Sequence, residues 1–133
     1  MNFDCVGKDS KGQMYMKFDI PFTITEQIQL LQRSILVQSF AYYELNQNII
    51  SDFQYDANAR QLADLRRKYP EDYGRSKYYE YFKDFGSDDD GTHYTSGFDL
   101  LEKIRKTDKQ LYRHLHIDAV MALEQKQKRG VEV

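Results

Sequence analysis

The chain has 133 residues, room for one domain with a sizeable core and too few for two independent ones. Its formal net charge of −2 argues against a dedicated nucleic-acid binder, which carries a clear basic excess. Cys5 is the single cysteine, so no intrachain disulfide can form, and a cytoplasmic setting is expected. No apolar run approaches the roughly 18 residues of a membrane span, and the first residues lack the basic-then-apolar pattern of a secretory signal.

In chain order, residues 1–22 read as a small β-hairpin. Phe3 to Val6 is a short candidate strand, residues 7–12 are turn-forming, and Met14, Met16, Phe18 and Ile20 alternate on one side of a second strand before Pro21. A lone hairpin is marginal in water, so it is expected to pack on helices. Thr23 and Glu26 then fit a capping box. Ile28, Leu31, Ile35, Tyr42 and Leu45 follow at helical spacing, and Asn46-Gln47-Asn48 ends that helix. Ser51 to Gln54 reads as a second capping box, with Leu62, Leu65 and Tyr69 continuing an apolar stripe until Pro70.

The aromatic run Tyr78, Tyr79, Tyr81, Phe82 and Phe85 fits a short helix or an extended segment equally well. Residues 86–91 form a loop. A helix is expected over about residues 96–106, burying Phe98, Leu101 and Ile104. Thr107 to Gln110 reads as a third capping box, opening a last helix with Leu111, Leu115, Ala119, Ala122 and Leu123 and a fraying tail after Lys126. The expected fold is mostly α: an antiparallel helical hairpin over 23–70, further packed helices over 71–133, and the small N-terminal β-hairpin over 1–22, all one domain spanning 1–133.

The informative stretch is the junction between the two long helices. Antiparallel helices joined by a short loop bring the end of the first beside the start of the second. Asp52, Tyr55 and Asp56 stand at i, i+3 and i+4 and so share a helix face. Tyr42 and Tyr43 close the preceding helix within reach of it. The expected product is a cleft with aromatic walls and two carboxylates. Such a cleft suits a cationic aromatic ring attached to a ribose: tyrosine faces attract a pyridinium, and carboxylates add Coulombic attraction and accept hydrogen bonds from hydroxyls. Each residue also has an ordinary role. Asp52 complements the helix dipole in a first turn, and Tyr42 can serve as core.

The pattern Tyr-Tyr-x-Leu-x-x-x-x-Ile-Ser-Asp-x-x-Tyr-Asp resembles the signature of the N-terminal helical domain of NAD-dependent bacterial DNA ligases. Leu62 to Pro70 is similar to that family's Leu-rich, Pro-terminated continuation, and the likeness covers residues 29–71, about a third of the chain. The resemblance implies that Tyr42, Tyr43, Asp52, Tyr55 and Asp56 contact the nicotinamide mononucleotide half of NAD. It does not extend to catalysis. A ligase's Lys-x-Asp-Gly motif is absent, Asp88 standing where the lysine belongs before Asp90-Gly91, and one cysteine cannot build a four-thiolate zinc site. Residues after Pro70 look like the extension of short ligase-related proteins of bacteria and their phages or mobile elements.

The expected function is therefore noncatalytic binding of NAD or nicotinamide mononucleotide, with no enzyme activity of its own. One alternative is a phage or mobile-element interaction module, inhibitor or adaptor, that docks on a host protein and uses the aromatic run at 78–85. Another is an accessory to a separate ligase adenylation domain. No metal site is expected. An EF-hand reading of the loop at Gly91 would need acids where Gly86 and Gly97 stand, and His114 and His116 point about 200° apart on a helix. The basic clusters at 66–68, 103–106 and 126–129 are offset by the acidic remainder, so direct nucleic-acid contact is not expected.

Overall fold

The computed structural model describes residues 6–8, 14–16, 22–86 and 95–131. Two three-residue strands, β1 (Val6–Lys8) and β2 (Met14–Met16), pair antiparallel with Gly7 opposite Tyr15. The rest of the hairpin expected over residues 1–22 lies outside the described residues, as do Cys5, His93 and the acidic loop from Asp88 to Gly91. The established architecture is helical, and the expected hairpin is not part of it.

The first helix, α1 (Ile24–Leu45), begins at the expected capping box. The Thr23 hydroxyl accepts from the Glu26 N–H at 3.1 Å, and the Glu26 carboxylate accepts from the Thr23 N–H at 3.0 Å. Those bonds to Thr23 hold the Glu26 carboxyl below its ordinary pKa. The helix stops at Asn46, whose φ of 54° is left-handed, a conformation that asparagine tolerates better than most residues. The N–H groups of Asn46 and Gln47 both donate to the Ala41 carbonyl and close the end.

Ser51 caps α2 (Asp52–Lys68) by accepting from the Gln54 N–H. The Gln54 side chain donates to Asn58 instead of returning to the cap, so the second box is only half formed. Pro70 does more than end this pattern. It occupies the first turn of α3 (Pro70–Gly74), where a proline's missing N–H costs nothing. The aromatic run becomes α4 (Tyr79–Phe82), then come α5 (Gly97–Thr107) and α6 (Lys109–Val131).

One expectation here is corrected. Thr107 is not a cap. It is the last residue of α5, its hydroxyl donating to the Lys103 carbonyl, and Asp108 caps α6 by accepting from the Leu111 N–H. α6 runs to Val131, a span that does not test the expected fraying of the tail after Lys126.

The central helix is α1, which packs against α2, α3, α5 and α6. Its buried Ile28, Ile35, Leu36 and Phe40 meet Leu62 of α2, Leu100, Leu101 and Ile104 of α5, and Leu115 and Ala119 of α6 in one core. Each aliphatic side chain buried in this way contributes about 1.5–3 kcal/mol. Polar threads tie the outer helices down. Buried Gln32 donates to the Ser76 hydroxyl, which donates to the Tyr73 carbonyl. The Tyr73 hydroxyl donates to the Phe82 carbonyl at 2.6 Å, and Arg66 lies over the Tyr73 ring and donates to the carbonyls of Phe82, Lys83 and Phe85. Arg33 pairs with Asp118 at 2.6 Å and joins α1 to α6.

Candidate functional site at the helical junction

The antiparallel register of α1 and α2 is set by two contacts between them. The hydroxyls of Ser39 and Tyr55 are hydrogen-bonded at 3.0 Å, and Asn58 donates to Gln38. Tyr42 and Tyr43 lie one turn beyond Ser39 toward the end of α1, and Asp52 opens α2 one turn before Tyr55.

The five residues named from sequence differ in setting. Tyr42 and Tyr43 are 52% and 45% exposed, and their rings meet edge to face at 4.8 Å. The ordinary reading of Tyr42 as core is thus excluded. Asp52 and Asp56 are exposed, one turn apart on α2. Tyr55 is largely sheltered. Burial pushes its phenol pKa up; the Ser39 hydroxyl opposes that shift, while Tyr43 and Asp56 add to it. Those influences bring Tyr43, Tyr55 and Asp56 into one electrostatic neighbourhood. Tyr55 joins the two arms, and the others present aromatic and anionic groups to water.

The structure adds residues that sequence reading missed or misplaced. Phe98, expected in the core, is 50% exposed, and its ring stands edge-on to Tyr43 at 5.9 Å. Gly97 is buried against α1. A Cβ there would lie 2.4 Å from the Ser39 Oγ, 2.8 Å from its Cβ and 3.0 Å from Tyr43 Cε2. The α5 backbone approaches as closely as only glycine permits. Ser39, held between Gly97 and Tyr55, is a buried polar residue whose partner lies 16 residues away, and no local sequence pattern announces such a pair. Lys126 of α6 donates to the Asn48 carbonyl in the α1–α2 loop and braces the junction from the other side.

Other sequence signals resolve into packing. Tyr78, Phe82 and Phe85 are buried, and Tyr79 and Tyr81 are half-buried against the same core, so the aromatic run is accounted for by folding. The observation that motivated a docking module is thereby removed. His114 is exposed, and His116 stacks on Phe40 at 5.2 Å. Among the described residues no cluster of three His, Cys, Asp or Glu could hold a metal ion, and no helix is long and apolar enough to cross a membrane.

Comparison with known proteins bears on this junction. A family model described as the DNA ligase-like, N-terminal NAD+-binding domain matches residues 21–74. The chain is 38% identical over 52 residues to a DNA ligase of Thermotoga petrophila, a match covering 39% of this chain and 8% of that protein. It is 42% identical over 53 residues to a DNA ligase of Petrotoga mobilis, covering 40% and 8%. With a DNA ligase of Porphyromonas gingivalis it shares 43% identity over 44 residues, covering 33% and 7%. The matches thus span less than a tenth of these relatives. No solved structure matches the chain. Residues 21–74 are therefore similar to the N-terminal domain of NAD-dependent DNA ligases, and α1, α2 and α3 are the helices concerned.

Proposed function

We propose that this chain is a nicotinamide-nucleotide-binding module, taking nicotinamide mononucleotide or that half of NAD at the α1–α2 junction without sealing DNA by itself. One observation carries the reading: Tyr55 ties α2 to Ser39 of α1, with Tyr42 and Tyr43 one turn on along α1 and Asp52 and Asp56 flanking Tyr55 on α2, all inside the ligase-like residues 21–74. The named domain of that family binds NAD+, which supports the choice of ligand.

The chemistry is that of a recognition surface. Exposed Tyr42 and Tyr43 offer electron-rich faces to a pyridinium, an attraction of about 0.5–1 kcal/mol each where water has access. Exposed Asp52 and Asp56 attract the ring's positive charge and accept hydrogen bonds from ribose hydroxyls. Tyr55 fixes the distance between the arms through its bond to Ser39. An open site of this kind binds weakly, because exposed charges are screened and little ligand surface is buried.

Calorimetric titration with NAD and with nicotinamide mononucleotide tests the proposal. Binding in the range of about 0.1–1 mM is expected for a few contacts of this strength, with Asp56→Asn weakening it several-fold while the melting temperature stays put. Absence of heat at millimolar ligand, or wild-type affinity in both Asp56→Asn and Asp52→Asn, would rule the proposal out.

A further inference from the structure

The ligase-like segment ends at residue 74, so the first turn of α5 lies outside it. That turn is nevertheless built into the junction. Gly97 docks on Ser39 and Tyr43 at a distance that excludes any side chain, and Ser96 caps the turn by accepting from the Asp99 N–H. The next residue, Phe98, is carried to Tyr43 and left half in water. A single exposed phenylalanine needs no explanation. This one extends a contiguous chain of three exposed rings, Tyr42 to Tyr43 at 4.8 Å and Tyr43 to Phe98 at 5.9 Å. The core of α5 does not require it, because Leu100, Leu101 and Ile104 already fill the interior face.

We propose that Phe98 is a third aromatic wall of the site and contacts the pyridinium ring of the bound nucleotide. This rests on the nicotinamide reading above and adds to it a residue from the part of the chain that the ligases do not match. A phenylalanine has no hydroxyl to offer a ribose, so its contribution is stacking and the attraction of its negative face for a cationic ring. It therefore favours the oxidised, positively charged pyridinium over the reduced, uncharged dihydropyridine.

The experiment is calorimetric titration of the full chain and its Phe98→Ala and Phe98→Leu variants with oxidised and with reduced nicotinamide mononucleotide, melting temperature serving as the folding control. Both variants should weaken binding of the oxidised nucleotide by about two- to fivefold, the span of an exposed cation–π contact. Binding of the reduced nucleotide should change less, and melting should be unaltered. Wild-type affinity in both variants overturns the role of Phe98 while the binding reading stands. Loss in Phe98→Ala but not in Phe98→Leu, or equal loss for both nucleotides, overturns the cation–ring contact. No binding by the wild-type chain overturns this proposal and the reading beneath it together.

Discussion

The α1–α2 junction and the segment around α4 both pack beside the α1 core, yet they use their clustered aromatic residues in opposite ways. At the α1–α2 junction Tyr42, Tyr43 and Phe53 stand in solvent. In the segment from Ser76 to Gly86, Tyr78, Phe82 and Phe85 are buried and lock α4 onto the core. Clustered aromatics in a sequence therefore do not say which side of the surface they occupy. What decides is position. The ring-bearing positions at the junction point away from the core, whereas Phe82 and Phe85 are pressed inward under Arg66 and beside α5. In the proposed reading the junction's exposed rings serve recognition and the buried rings around α4 serve folding, with Phe98 the point where the later helices reach into the junction.

The largest effect should come from emptying the shared core on α6, which carries none of the proposed ligand residues. Leu115→Ala removes a fully buried aliphatic side chain packed in the α1 core and should cost about 2–5 kcal/mol in chemical denaturation. If the junction and the core are separate in function, residual folded protein in this variant keeps wild-type nucleotide affinity. Next comes Gly97→Val, which forces side-chain atoms against Ser39 and Tyr43. A cost of about 1–3 kcal/mol is expected from overpacking. Nucleotide affinity should drop with it, because Ser39 cannot move without disturbing its bond to Tyr55.

Smaller still is Tyr73→Phe, which deletes the bond to the Phe82 carbonyl and should cost about 1 kcal/mol near neutral pH. Burial pushes the Tyr73 phenol up to about 12, against an ordinary value of 10.0, with Arg66 opposing the shift. Below pH 10 both folded and unfolded chains keep this proton, and its contribution is whole. Above it the unfolded chain releases the proton first, so stability falls as pH rises toward about 12. Denaturation across that window should show a flatter decline in Tyr73→Phe than in the wild type.

Much of the frame was legible because it is local. The Thr23 and Glu26 box, the Ser51 cap and the Asn46 stop all depend on residues within a turn of one another. The errors arose where spacing alone leaves more than one choice. Phe98, Leu101 and Ile104 recur at intervals of three, which drift around a helix of 3.6 residues per turn. The buried set is Gly97, Leu100, Leu101 and Ile104, at i, i+3, i+4 and i+7, and it turns Phe98 outward. Thr107 and Asp108 are both capping types, and the Asp108 N–H bond to the Ile104 carbonyl, with the Thr107 hydroxyl turned back to Lys103, keeps Thr107 inside α5. At the site, the spacing of Asp52, Tyr55 and Asp56 was readable from one helix. Ser39 and Gly97 were not, because their reason lies in close approach between segments far apart in the chain.

Backbone amide chemical-shift mapping during titration with nicotinamide mononucleotide tests the central claim most directly. The account predicts shifts concentrated at the end of α1 around Tyr42 and Tyr43, at the start of α2 from Asp52 to Asp56, and at Gly97 and Phe98, with α3 and α4 quiet. Shifts centred elsewhere, for example on the groove between Leu30 and Tyr78, or none at millimolar nucleotide, would contradict it.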